Sequence, residues 1–422
     1  MRKPDELVIE TGGRFRVHAS LYVDDDLFAK EMERIFARTW VYVAHESELP
    51  NPGDYRTSVI GTQPVIVARD QDGDVNVMFN RCMHRGATVC RADRGHSNYF
   101  RCQYHNWVYN SRGELQGMAQ KSGYPDDFDR SELSLVRPAH VASYRGLIFA
   151  NLDPAAEPLE ERLAVVRRSI DAWCDRSPAG RIRVTRGTHR YRYPGNWKLQ
   201  LENGVDGYHG NYVHESFTKI LERSGERSRK DVTRARNDVG SLNYAKGLGR
   251  GDGMLERRAG MLGTADYSPY ADYHRQLVEA HGRDRVEDIL TQRNILVFPN
   301  LYLFESHIRV VRPVSTTETI VDNHPTVLEG APAQLNTDRL REHERFFGPS
   351  SFGATDDLEI FVHVQTGAQA TAAEWLEMSR GLHREQRNEF GEHVGHSTDE
   401  APQRSIYREW RRLMTAEAEV PV

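Results

Sequence analysis

Two short motifs pair sulfur with imidazole close together in the chain. They are Cys82-x-His84 and, seventeen residues further on, Cys102-x-x-His105. Each offers one thiolate and one imidazole on a tight loop. Two such loops can grip a binuclear [2Fe–2S] cluster, with both cysteines on one iron and both histidines on the other. Imidazole is neutral where thiolate is anionic, so this ligand set eases reduction of the cluster and suits it to relaying electrons. Zinc also accepts two Cys and two His. Zinc fingers, however, group like with like, whereas each half here mixes the two ligand types. Cys90 and Cys174 have no partner at a recognisable spacing and read as small buried residues.

A second constellation lies in GNWKLQLENGVDGYHGNYVH, residues 195–214. His209 and His214 with one carboxylate would make a 2-His-1-carboxylate triad, which leaves open iron positions for O₂ beside an organic substrate. On an ideal α-helix, residues five apart point about 140° from one another. The pair therefore needs a local distortion such as a π-bulge, a feature common at functional sites. Asp206 and His209, three apart, share a helical face. A His pair alone would read as polar helix surface. An upstream electron relay gives it meaning, because a relay needs an acceptor.

The forms Cys82-Met83-His84-Arg85-Gly86 and Cys102-Gln103-Tyr104-His105-Asn106-Trp107 resemble the Rieske domains of ring-hydroxylating oxygenases. Asn106 departs from the glycine common in that family, at a position that is not a ligand. Asn196-Trp197-Lys198, Glu202-Asn203-Gly204, Asp206, Tyr208-His209 and His214 resemble the family's mononuclear iron motif. The resemblance places the third iron ligand after Phe347-Gly348-Pro349, in Thr355-Asp356-Asp357-Leu358, where the second aspartate, Asp357, takes the role. Asp356 competes for it and could instead cap the following helix.

The resemblance further implies an α+β chain: an all-β Rieske domain plus a catalytic domain with a central antiparallel sheet flanked by helices, of the helix-grip type. It implies a homotrimer, with a small β subunit in some members (α3β3), in which the cluster of one subunit serves the iron of the next. Asp206 would bridge His105 of one subunit to His209 of its neighbour. NADH would supply electrons through a separate reductase, with or without a ferredoxin. O₂ and an aromatic ring would yield a cis-dihydrodiol. The segments 202–209, 354–359 and 308–313 look closest to the benzoate-type branch of aromatic acids. A monooxygenase or demethylase, a dioxygenase of a neutral hydrocarbon and a pure electron carrier are the alternatives. A carboxylate substrate would call for a cationic or strongly donating group. His307 and Arg309 alternate onto one face of a strand, which reads either as that group or, more simply, as a solvated or interface face. Gly204, Val205, Ile295, Phe304, Phe347 and Phe352 are candidate apolar lining.

The elements that must position these residues follow from periodicity. Residues 1–38 read as an N-terminal helical segment packing with the catalytic domain, with a helix over Asp24–Arg38. Residues 39–155 read as short strands rich in Val, Ile, Tyr and Phe, broken by Gly and Pro turns. Residues 156–422 form the catalytic domain. It opens with a helix through Leu159, Leu163, Val166, Ile170 and Trp173 and an extended stretch at Arg183–Tyr193, and a helix spans 196–222. Residues 223–262, rich in Arg and Gly, read as an exposed excursion or lid. The run Gly247-x-Gly249-x-Gly251 reads as loop, since it lacks the strand and spacing of a dinucleotide site. Strands are expected at Asn294–Phe304 and His307–Val314, with Thr319–Val321 weaker. Helices are expected at Leu335–Phe347, Asp357–Gln365, Ala372–Leu382 and Ser405–Met414. The composition, 38% hydrophobic and 28% charged with a net charge of −5, is that of a globular protein without a basic footprint for nucleic acid. Neither a leader nor a membrane-spanning run stands out, and the few cysteines fit a reducing cytoplasm.

Overall fold

The computed structural model describes residues 2–226, 243–257 and 265–416. The chain divides into two compact units. One is Phe36–Arg162; the other joins the residues before it to those from Leu163 onward.

The unit Phe36–Arg162 is built almost wholly of short antiparallel strands. A four-stranded sheet runs in the order Val75–Phe79, Gln63–Arg69, Asp54–Ile60, Arg94–His96. A three-stranded sheet orders Leu115–Gly117, Val108–Asn110, Tyr99–Arg101, and another joins His140–Tyr144, Leu147–Asn151 and Val41–His45. Ile66, Ala68, Met78, Phe100, Trp107, Tyr109 and Leu135 form one core, which also holds Cys82, Cys90 and Cys102. The expected helix through residues 159–173 is broken. Leu159–Arg162 lies against the strand His140–Tyr144, while Arg167–Asp175 packs on the helix Arg283–Leu290.

In the other unit, the described residues form a ten-stranded antiparallel sheet. Its order is Ile182–Val184, Glu318–Leu328, His307–Ser315, Leu301–Leu303, Gln292–Val297, Asp252–Arg257, Asn243–Gly249, His393–His396, Gln386–Arg387, with His189–Tyr193 also pairing Glu318–Leu328. The helices Ala333–Phe347, Ala354–Gly367 and Ala401–Thr415 accompany it. The α+β architecture expected from the sequence is therefore present.

Four further elements differ from expectation. The first helix is Asp25–Glu31, capped by Asp24, and continues as a π-helical turn, Met32–Phe36. The N-terminal segment also holds a hairpin, Val8–Thr11 with Arg14–His18, whose second strand pairs Trp375–Glu377; that pairing replaces the helix expected over Ala372–Leu382. The excursion proposed at 223–262 is not one where it is described: Asn243–Gly249 and Asp252–Arg257 pair with each other in mid-sheet. Residues 227–242 and 258–264 lie outside the described residues. The glycines that made this stretch look like loop instead admit a helix. A Cβ at Gly247 would stand 2.6 Å from the carbonyl oxygen of Ala401, and one at Gly253 would stand 3.0 Å from Pro402, both on the helix Ala401–Thr415. Finally, 196–222 is not one helix but Trp197–Gly204, a short 3-10 turn His209–Asn211, and Glu215–Arg223.

Candidate metal centres

The two sulfur-bearing loops share one backbone design. Gly86 N donates to Cys82 O and Cys82 N to Ala87 O; Asn106 N donates to Cys102 O and Cys102 N to Trp107 O. Closing each loop needs a left-handed residue at its fourth step, and Gly86 (φ 73°) and Asn106 (φ 57°) supply it. Asparagine is among the few side-chain-bearing residues that accept this conformation, so Asn106 does the work of glycine there.

Both cysteines are buried, at 2% and 1% exposure, whereas His84 and His105 are partly exposed. The imidazoles converge, their centroids 4.4 Å apart, and His84 stacks on Trp107 at 5.0 Å. The Tyr109 hydroxyl is 3.4 Å from Cys82 Sγ and accepts from Met83 N at 3.1 Å. Burial pushes the Cys82 thiol up, and the neighbouring Cys102 adds to that, against the Tyr109 hydroxyl. A thiolate at that depth calls for compensating positive charge, which iron supplies. Among the described residues, His84 Nδ1 is buried without a hydrogen-bond partner. Converging imidazoles, a buried thiol pair and an unpartnered ring nitrogen all fit a [2Fe–2S] cluster.

The second centre is assembled from the break between two helices. Asn196 caps the helix Trp197–Gly204, its side chain accepting from Lys198 N. This site helix packs on the strands Gln292–Val297 and His307–Ser315 and on the helices Ala354–Gly367 and Ala401–Thr415. Its first turn is fixed by Glu31, which accepts from Trp197 Nε1 at 2.8 Å and Lys198 Nζ at 2.6 Å. After Gly204 the chain turns away. Gly207 passes so close to the carbonyl oxygen of Ser397 that no Cβ fits. His209 then falls on the 3-10 turn, and His214 opens the following helix.

This break, and not a π-bulge, brings the two histidines together. His209 Nε2 and His214 Nε2 stand 3.5 and 3.4 Å from Oδ1 of Asp357. One ligand atom from each of the three residues lies within 4.8 Å of the others, a set that could hold one metal ion. Asp357 lies in the first turn of the helix Ala354–Gly367. The Nδ1 atoms face other carboxylates: Asp206 Oδ2 is 3.3 Å from His209 Nδ1, and Asp356 Oδ2 is 3.9 Å from His214 Nδ1. A carboxylate behind an imidazole fixes its tautomer and leaves Nε2 to the metal. Burial opposes ionisation of Asp206, but His209 and two backbone N–H groups hold its carboxyl below the usual range. Asp356 accepts from Ser216 Oγ at 2.8 Å, and the helix has no side-chain cap bond.

Asn203, part of the iron motif but without a role in the sequence reading, donates from Nδ2 to Asp357 Oδ1 at 3.1 Å and lies 3.3 Å from His209 Nε2. His307 and Arg309 are not solvated: their exposures are 0% and 3%. Of the candidate lining, Gly204, Val205, Ile295, Phe304 and Phe347 are buried, and Phe352 is exposed.

Residues 39–144 match the Rieske [2Fe-2S] domain, and residues 183–416 match the ring hydroxylating alpha subunit catalytic domain. The chain belongs to the family of ring-hydroxylating oxygenase alpha subunits, a class of oxidoreductases that carries a Rieske cluster and a mononuclear iron. It is 36% identical to the anthranilate 1,2-dioxygenase large subunit of Acinetobacter baylyi, over 88% of this chain and 81% of that one. It is 37% identical to the 2-halobenzoate 1,2-dioxygenase large subunit of Burkholderia cepacia, over 87% and 80%. Among solved structures, naphthalene 1,2-dioxygenase from Rhodococcus sp. bound to indole superposes with a TM-score of 0.83 at 29% identity, covering 96% of this chain and 95% of that one. No helix among the described residues is long and apolar enough to cross a membrane.

Proposed function

We propose that this chain is the terminal oxygenase component of a benzoate-type dioxygenase. It acts in the cytoplasm on O₂ and an aromatic acid, forms a cis-dihydrodiol, and draws electrons from NADH through a separate reductase, with or without a ferredoxin. Cys82, His84, Cys102 and His105 hold the [2Fe–2S] cluster, and His209, His214 and Asp357 hold the mononuclear iron. The observation that carries the reading is the convergence of His209 and His214 on Asp357 Oδ1, at 3.5 and 3.4 Å, in a chain that also has the two sulfur-bearing loops. The aromatic-acid relatives support the substrate class.

Bound iron supplies open coordination positions for O₂ beside the substrate. The residues around it hold geometry. Asn203 donates to Asp357 and limits its rotation. Asp206 keeps the Nδ1 proton of His209 on the outer side, and Asp356 places a carboxylate 3.9 Å from Nδ1 of His214. The assembly is a homotrimer, alone or with a small β subunit, in which Asp206 links His105 of one subunit to His209 of its neighbour.

Turnover with a partner reductase on benzoate, anthranilate, 2-halobenzoates and neutral arenes under ¹⁸O₂ tests this. Two labelled oxygens in one diol are expected from at least one acid. One labelled oxygen would make the enzyme a monooxygenase, and no oxidation of any acid would remove the benzoate-type reading. Two irons per chain, in place of three, would reduce it to an electron carrier.

A further inference from the structure

Arg309 is a buried cation that no carboxylate answers among the described residues. Other deeply buried guanidinium groups in the same unit are matched. Arg176 pairs with Glu305 at 2.6 Å, Arg404 pairs with Glu385, and Arg339 donates to the carbonyl oxygens of Glu305 and Thr326. Arg309, 3% exposed, donates from Nε to Asn323 Oδ1 at 3.0 Å, and among the described residues it makes no other hydrogen bond and no ion pair. Burying a charge without a counter-charge is costly.

The rings that lie against it are neutral. The guanidinium lies 4.4 Å from the Phe304 ring centroid and 5.2 Å from that of Phe347. His307 stacks on Phe304 at 4.6 Å, and its Nδ1 is 3.2 Å from Nδ1 of His343. Burial holds both imidazoles well below the usual range, so they are neutral. In a neutral pair only one Nδ1 carries the shared proton, so one of the two buried Nε2 atoms is a donor and the other an acceptor. Among the described residues, neither has a hydrogen-bond partner.

Aromatic contacts connect Arg309 to the candidate iron site. The His214 ring is 5.1 Å from Phe346, Phe346 is 4.7 Å from Phe347, and Phe347 borders Arg309. A planar donor fork between aromatic walls, a few rings from the metal, is the complement of a ring-borne carboxylate.

We propose that Arg309 binds the carboxylate of the aromatic substrate, with Asn323 orienting the guanidinium, and so selects acids over neutral arenes. The proposal rests on the reading of the chain as an aromatic-acid oxygenase. The test is equilibrium dialysis of benzoate, and separately of toluene as the neutral probe, against the purified holoenzyme and its variants. Metal content and cluster spectrum are checked in each variant. Arg309→Met should weaken benzoate binding by about 100-fold or more and leave toluene within about threefold, since a charged hydrogen-bond pair is lost and little volume changes. Arg309→Lys keeps the charge without the fork and should fall between. Asn323→Ala should weaken benzoate by about 10-fold through loss of orientation, and with the lysine variant it carries the test if the methionine variant does not fold. In steady state, KM for benzoate should rise more than kcat falls. Unchanged benzoate binding in Arg309→Met, or equal loss of benzoate and toluene, overturns the role of Arg309 alone. Wild-type holoenzyme that binds toluene but no benzoate overturns both this role and the aromatic-acid reading.

Discussion

Glu31 and Lys198 form an ion pair in which neither side chain has any solvent exposure, Oε1 to Nζ 2.6 Å. The indoles of Trp197 and Trp410 donate to the same carboxylate. One carboxylate thus ties the first helix, the site helix and the last helix together. Removing it alone strands a buried ammonium, at a cost of about 3–5 kcal/mol. Glu31→Ala should lower the stability of this unit by that amount in denaturant titration. Glu31→Met combined with Lys198→Met should lose much less, since an apolar pair of similar volume often replaces a buried ion pair without penalty.

Asp357 and Asp356 are adjacent in sequence but turn to different histidine atoms, the first to both Nε2 and the second to His214 Nδ1. Asp357→Ala should therefore strip the mononuclear iron and leave two irons per chain, with the cluster absorbance unchanged. Asp356→Asn should keep three, with iron affinity or activity reduced about 10–100-fold, as for carboxylates behind metal-bound histidines. The reverse pattern in iron analysis would exchange their roles.

Asp206 touches the outer nitrogen of His209 and lies away from the three converging ligand atoms. Asp206→Asn should retain the cluster and the iron and lose most turnover, while single-turnover reduction of the cluster by dithionite proceeds normally. Loss of the mononuclear iron would make Asp206 a ligand and remove the bridge.

Much of the proposed ligand set was legible because ligand chemistry is local: Cys82, His84, Cys102, His105, His209 and His214 stand out by type and spacing, and the structure brings each set together. Asp357 needed the family resemblance, since nothing in the spacing chooses between two adjacent aspartates. The helix break at 205–208 was hidden because Val205, Tyr208 and Tyr212, three and four residues apart, continue a helical apolar spacing through it. What ends the helix is a close approach of Gly207 to Ser397, nearly two hundred residues away. The burial of Arg309 and His307 was missed for a related reason. Polar residues on a strand read as solvent-facing until the aromatic rings of a distant helix, such as Phe347, are seen to cover them. Gly247 and Gly253 misled in the opposite sense, marking tight helix–sheet packing and not a loop.

Asn106 holds the second cluster loop in a left-handed turn, as Gly86 holds the first. Asn106→Gly should leave cluster content and visible circular dichroism unchanged. Asn106→Val puts a β-branched side chain where the left-handed conformation costs about 1–2 kcal/mol or more. It should reduce cluster retention on heating while the mononuclear iron stays. Equal behaviour of the two variants would mean that the loop does not depend on this backbone state.

Glu202 sits one residue before Asn203 and accepts from the hydroxyls of Tyr22 and Tyr407. Burial raises its carboxyl to about 7, against those hydrogen bonds and the pull of Lys198. Between the unfolded value near 4.5 and about 7, the folded protein keeps a proton that the unfolded chain releases. The stabilisation is therefore fully present at the acid end and is lost as pH rises through 7. Glu202→Gln cannot ionise and lacks this term. The stability of wild type relative to the variant should fall by about 3 kcal/mol across that window and stay level above it. Denaturant titrations of both proteins from pH 5 to 8 would show the difference. A gap that widens in favour of wild type with rising pH would mean that Glu202 is ionised when folded, held by Lys198 and the two tyrosines.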